Sequence, residues 1–115
     1  MVNQFEIWIA DFSSQLGSDE DRKREVLILQ TNLLNAIPHS STVICPLTDI
    51  VKDDFDILRV HLKAGMANLT QDSDVMMDQI RALDNKRLIT LVGKLPEDMI
   101  KKVKENIIIL LDLEL

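Results

Sequence analysis

The chain has 115 residues, of which 46% are hydrophobic, a formal net charge of −6 and one cysteine, Cys45. That length and apolar content suit one domain over residues 1–115 with its own core. A single cysteine excludes an intrachain disulfide framework, and the acidic balance argues against a protein held on nucleic acid by bulk charge, although the charge of a site is a separate quantity.

No basic N-terminal region or long apolar run suggests a signal peptide. The longest apolar stretch, Ile107–Leu111, is too short to span a bilayer. A reducing cytoplasm is the expected location, and no membrane partner is expected.

Phe5–Asp11 alternates, with Phe5, Ile7 and Ile9 on one face and Glu6, Trp8 and Ala10 on the other. This predicts a first strand with Trp8 partly covered. Phe12–Lys23 reads as a solvated loop, densely charged in its second half. Glu25–Gln30 predicts a second strand. Its run Val26–Leu29 is continuously apolar, so both faces should be covered. Thr31 can cap a short turn through Asn35. Thr42–Leu47 predicts a third strand ending at Thr48-Asp49. Ile50–Asp56 is a polar connection, and Ile57–Leu62 a fourth strand.

The stretch Asp72–Leu88, DSDVMMDQIRALDNKRL, predicts a short buried strand through Met77 that ends by presenting Asp78, Gln79 and Arg81. Asp84-Asn85 stops it, and Lys86-Arg87-Leu88 fits one tight helical turn. Ile89–Leu95 predicts another strand, broken at Gly93. Pro96 suits a helix start, with Glu97 and Asp98 at its positive end. Met99, Ile100, Val103, Ile107, Leu110 and Leu111 recur at helical spacing. The end of the chain is apolar nearly all round, which predicts cover from the sheet and from a second subunit. The fold expected is α+β, mainly β: a small, strongly curved antiparallel barrel or half-barrel of the SH3-like type, with the last helix packed on it.

Glycine-rich phosphate loops, HExxH and CxxC are absent. His39 and His61 lie in different segments, and each reads as a surface or half-buried histidine. Cys45, inside an apolar strand, reads as an inert core thiol. Asp49, Asp53 and Asp54 are carboxylates that could hold Mg²⁺, but their loop reads more simply as solvated. No metal or cofactor is expected.

Five stretches resemble, in order and with few gaps, successive elements of the MazF/PemK toxins. They are FEIWIADF at Phe5–Phe12, GSDEDRKREVLILQTNLLN at Gly17–Asn35, STVICPLT at Ser41–Thr48, the Asp72–Leu88 stretch, and GKLPEDMIKKV at Gly93–Val103. These toxins are the endoribonuclease half of bacterial type II toxin–antitoxin pairs. The resemblance implies a CcdB/PemK/MazF-like toxin fold and metal-independent, sequence-specific cleavage of single-stranded RNA. It also implies a homodimer and a MazE-like antitoxin whose flexible tail occupies the RNA groove. It places the family's catalytic arginine on Arg24 and its catalytic threonine on Thr48. Ser18, Asp78 and Gln79 become substrate contacts. A guanidinium and a hydroxyl are physically apt donors to a phosphate gaining negative charge.

Two residues depart from the family pattern. Glu25 stands where the family has proline, and Asp49 where it has a small residue. Adjacent strand residues point to opposite faces, so Glu25 need not touch RNA. With Asp19, Glu20 and Asp21 these residues lower the local potential, which keeps a catalytically weak or silent relative as the alternative. A CcdB-like gyrase-binding toxin is a further alternative. It is disfavoured by a C-terminus, Asp112–Leu115, that lacks an aromatic residue.

Overall fold

The computed structural model describes residues 2–17, 22–52, 54 and 57–114. In chain order the elements are β1 (Glu6–Asp11), β2 (Lys23–Ile28), α1 (Asn32–Asn35), β3 (Ser41–Thr48), β4 (Arg59–Leu62), β5 (Ser73–Met76), β6 (Arg81–Asp84), β7 (Leu88–Lys94) and α2 (Glu97–Leu111). Single 3₁₀ turns lie at Met66–Asn68, Met77–Gln79 and Asn85–Arg87. The strands follow the order β4-β5-β3-β2-β1-β7, with β6 also paired to β3. Each pairing is antiparallel. The sheet is curled and does not close, so the half-barrel form of the expected fold is the one adopted.

The continuous apolar run of β2 is covered on both faces, as its composition requires. Leu27 enters one core with Ile7, Cys45, Val75 and Met77, against which α2 packs Met99, Ile100 and Val103. Val26 and Ile28 enter a second core with Ala10, Ile44 and Leu83, flanked by Trp8, Phe12 and Leu88. Each such fully buried Val, Leu or Ile contributes about 1.5–3 kcal/mol relative to an exposed one. Ile9 departs from the expected alternation and is only half-buried. The ladder between β1 and β7 shifts register on either side of Trp8-Ile9, which re-aims the side chains there.

Several boundaries differ from the sequence reading, and those that bear on the site are these. β2 begins at Lys23, so Arg24 lies inside the strand rather than ahead of it. The expected single strand through Met77 is two strands, β5 and β6, separated by the Met77–Gln79 turn. Both pair with β3, which takes β6 along Ser41–Ile44 and β5 at Leu47–Thr48. Between these pairings β3 carries Pro46, which has no N–H to give a neighbour, and the ladder is interrupted there.

β7 also runs unbroken through Gly93. The glycine serves close approach instead, since a Cβ at this position would lie 2.2 Å from the carbonyl oxygen of Ala67. The tight turn expected at Lys86–Leu88 lies one residue earlier, at Asn85–Arg87, and Asp84 caps it by accepting from the Lys86 N–H.

Candidate active site

The β2–β3 ladder ends at the pair Val26–Pro46. Continued two residues further, the same antiparallel register sets Arg24 across from Thr48. An open cavity of about 340 Å³ lies at this end of the two strands, lined by Lys23, Arg24, Glu25, Leu47, Thr48, Asp49, Ile50, Gln71 and Ser73. Two residues 24 apart in sequence therefore share one cleft because strand register puts them there. The Ile50 N–H donates to Thr48 Oγ1 at 3.2 Å. That bond uses a lone pair and leaves the hydroxyl proton available for a ligand. Glu25 lines the cavity too, so strand alternation does not keep it out of the site.

The interruption at Pro46 shapes the neighbouring surface. Where the partner strand leaves β3, the Met77–Gln79 turn carries Asp78 and Gln79 to solvent. Gln79 lines a second depression with Phe12, Arg22, Arg24, Pro46, Met76 and Arg81. Arg24 thus borders both depressions. The guanidinium of Arg81 sits over the Phe12 ring, 5.5 Å from its centroid. The second depression is lined by three arginines and no carboxylate, although the chain as a whole is acidic. Asp78 lies beside this depression without lining it, and its charge helps raise the Cys45 thiol. Ser18 lies outside the described residues.

The first turn of the loop between β1 and β2 is tied down by one carboxylate. Asp11 Oδ1 accepts from the Ser13 N–H at 2.8 Å and from the Ser13 hydroxyl at 2.5 Å. Its Oδ2 accepts from the Gly17 N–H at 2.7 Å. Arg87 adds a second clamp, donating to the carbonyls of Asp11 at 3.0 Å and Ser13 at 2.6 Å. The Ser13 hydroxyl, the Gly17 N–H and the Ser13 N–H hold the Asp11 carboxyl at about 2, below its ordinary 3.8.

A model of the PemK-like, MazF-like toxins of type II toxin–antitoxin systems matches residues 3–111. The chain belongs to this toxin family. It is 28% identical over 105 residues to Endoribonuclease EndoA of Bacillus subtilis (strain 168), covering 91% of this chain and 90% of that one. Its fold matches the Mycobacterium tuberculosis toxin MazF-mt6 with a TM-score of 0.78 at 24% identity, over 96% of this chain and 99% of that one. A MazE-MazF structure from Deinococcus radiodurans gives the same TM-score at 21% identity, over 98% of this chain and 97% of that one.

In this toxin neither histidine lines the cavity with Arg24 and Thr48. His39 Nδ1 lies 2.7 Å from the Ser41 carbonyl, and its ring lines a separate groove with Trp8 and Leu34. His61 is half-buried against Asp74. Cys45 is fully buried, and burial first, then the Asp78 charge, pushes its thiol up to about 12, which keeps it inert. Among the described residues no group of three or more His, Cys, Asp or Glu side chains could hold a metal ion.

Sequence reasoning missed Phe12, Arg22, Gln71 and Ser73 as cleft residues. Nothing in their local pattern distinguishes them, because tertiary pairing alone brings them together.

The Asp11 clamp has a definite pH dependence. Its folded-state value is depressed, so its contribution is present above about pH 4 and is lost as pH falls through about 2. Acid unfolding followed by circular dichroism should show the wild-type chain losing more stability across that window than Asp11→Asn. Parallel acid transitions in the two proteins would contradict the assignment.

Proposed function

We propose that this chain is an endoribonuclease that cleaves single-stranded RNA at Arg24 and Thr48 by attack of the ribose 2′-OH. The observation that carries the reading is the β2–β3 register, which brings these two donors to one open cavity beside an arginine-lined depression. In this reaction the 2′-oxygen bonds to phosphorus and the P–O5′ bond breaks. The 2′-OH proton leaves to a base, and the departing 5′-oxygen takes up a proton. The products are a 2′,3′-cyclic phosphate and a free 5′-hydroxyl. The nucleophile belongs to the substrate, so the protein's task is to orient the phosphate and stabilise charge on its oxygens. Arg24 offers a fixed charge with forked donors, and Thr48 offers the hydroxyl proton left free by its bond from Ile50.

Gln79 and Asp78, carried out on the Met77–Gln79 turn, are suited to reading the edges of unstacked bases. The single-stranded form exposes those edges. Ser18 would add a contact from the first loop. Phe12 supplies an aromatic face, and Arg22 and Arg81 supply charge along the path. Glu25 and Asp49 oppose these cations at the cavity itself, which limits phosphate affinity there.

The partners follow from the same reading. A relative from a mycobacterial species is an endoribonuclease in complex with its cognate antitoxin. We infer a MazE-like antitoxin for this chain, and its addition should abolish RNA cleavage in a purified assay. The end of α2 leaves Ile109, Leu111 and Leu113 about half exposed or more, an apolar strip suited to a second copy in a homodimer. Sedimentation at micromolar concentration should give the dimer mass; a monomer would contradict this.

Cleavage rates test the site. Arg24→Ala should lower the rate on the order of 10²–10³-fold, the usual cost of one preorganised donor to a developing oxyanion. Thr48→Ala should cost a similar or smaller factor, and both variants should stay folded. His39→Ala should do far less. Full activity in the Arg24→Ala, Thr48→Ala double variant would overturn the assignment.

A further inference from the structure

Asp74 stands in β5 directly across the ladder from Thr48. Its side chain has no exposed surface. A carboxylate in that position is tolerated only when paired and hydrogen-bonded. Asp74 Oδ2 accepts from the Lys52 N–H at 2.9 Å and from Arg59 Nη1 at 3.2 Å, and Oδ1 lies 2.6 Å from His61 Nδ1. The same Arg59 nitrogen donates to the Ile50 carbonyl at 3.3 Å. The Ile50 N–H in turn donates to Thr48 Oγ1. A path therefore runs from a buried carboxylate, through one guanidinium and the backbone of Ile50, to the hydroxyl lining the cavity.

Ile50 is 68% exposed, and Val51 and Lys52 are also exposed, so among the described residues just after β3 no apolar side chain is buried. The polar ties of this turn to Arg59 and Asp74 therefore help define where the Ile50 N–H points. Without them the Thr48 hydroxyl gains freedom to rotate and to donate elsewhere.

We infer that Arg59, anchored by Asp74, is a positioning residue that orients the Thr48 hydroxyl toward the cavity shared with Arg24. The inference rests on the RNA-cleaving reading of that cavity. Arg59 lies outside the cavity lining and acts through Ile50 and Thr48. Loss of the Arg59 donors is expected to slow the chemical step while leaving RNA binding largely intact.

The test is a double-mutant cycle on RNA cleavage with two measurements. Arg59→Met keeps side-chain length and removes every donor. It should lower kcat on the order of 10–100-fold, the scale of a small misplacement near the chemistry, with KM little changed. In a Thr48→Ala background the same substitution should cost nothing further, because the group it positions is gone. Amide hydrogen exchange supplies a readout independent of cleavage. Exchange at Ile50 and Lys52 should accelerate about tenfold or more in Arg59→Met, with Ile44 and Leu47 unchanged.

An undiminished kcat, an equal loss in the Thr48→Ala background, or unaltered exchange at Ile50 would each overturn the proposal. If Arg59→Met does not fold, Arg59→Lys carries the same expectations. It retains a charge facing Asp74, but its ammonium stands one bond short of the Nη1 position that reaches both Asp74 and Ile50. If the unmodified chain cuts no RNA, the functional reading fails on that result alone, and the exchange measurement still decides whether Arg59 holds the turn.

Discussion

β3 forms hydrogen-bonded ladders with β2, β5 and β6, and the geometry of the site depends on where those ladders stop. Pro46 supplies no N–H. The β2 ladder ends at that residue, and the Met77–Gln79 turn leaves β3 beside it. The first event opens the cavity between Arg24 and Thr48. The second carries Asp78 and Gln79 to solvent next to that cavity. The break on the β5–β6 side of β3 and the end of the β2 ladder thus lie at the same residue, which sets the cavity and the exposed turn side by side.

Buried carboxylates then fix the two walls of the cleft. Asp11 gathers the turn after β1 through Ser13 and Gly17, and Asp74 gathers the turn after β3 through Lys52, Arg59 and His61. Loops that carry function are often mobile, and hydrogen bonds to ionised groups are among the strongest local restraints on them. Asp11 ends β1 and Asp74 lies near the start of β5, and neither lines the cavity, so their negative charge stabilises the scaffold.

Much of this was legible in the sequence where the signal is periodic. The alternation of Phe5–Asp11, the unbroken apolar run of Val26–Leu29 and the helical spacing from Met99 to Leu111 each name an element and its buried face. Arg24 and Thr48 were found through likeness of neighbouring segments, and strand register brings them to one cavity. The division of Ser73–Asp84 into two strands was not legible, because its cause is a proline some thirty residues earlier in a different strand. The reach of Glu25 into the cavity was hidden as well. Alternation describes a regular strand, and this residue borders the point where the β2–β3 ladder gives way. Asp74 and Arg59 carry no local pattern at all. They meet only because β4 and β5 pair.

With the substrate's own 2′-OH as the nucleophile, the protein contributes positioned donors rather than a metal-bound water. The most direct measurement is end analysis of the products formed from a single-stranded RNA in EDTA. Cleavage should give 2′,3′-cyclic phosphate and 5′-hydroxyl ends, and the same sequence as DNA should stay uncut. Cleavage that requires Mg²⁺, or that leaves 5′-phosphate ends, would contradict this mechanism.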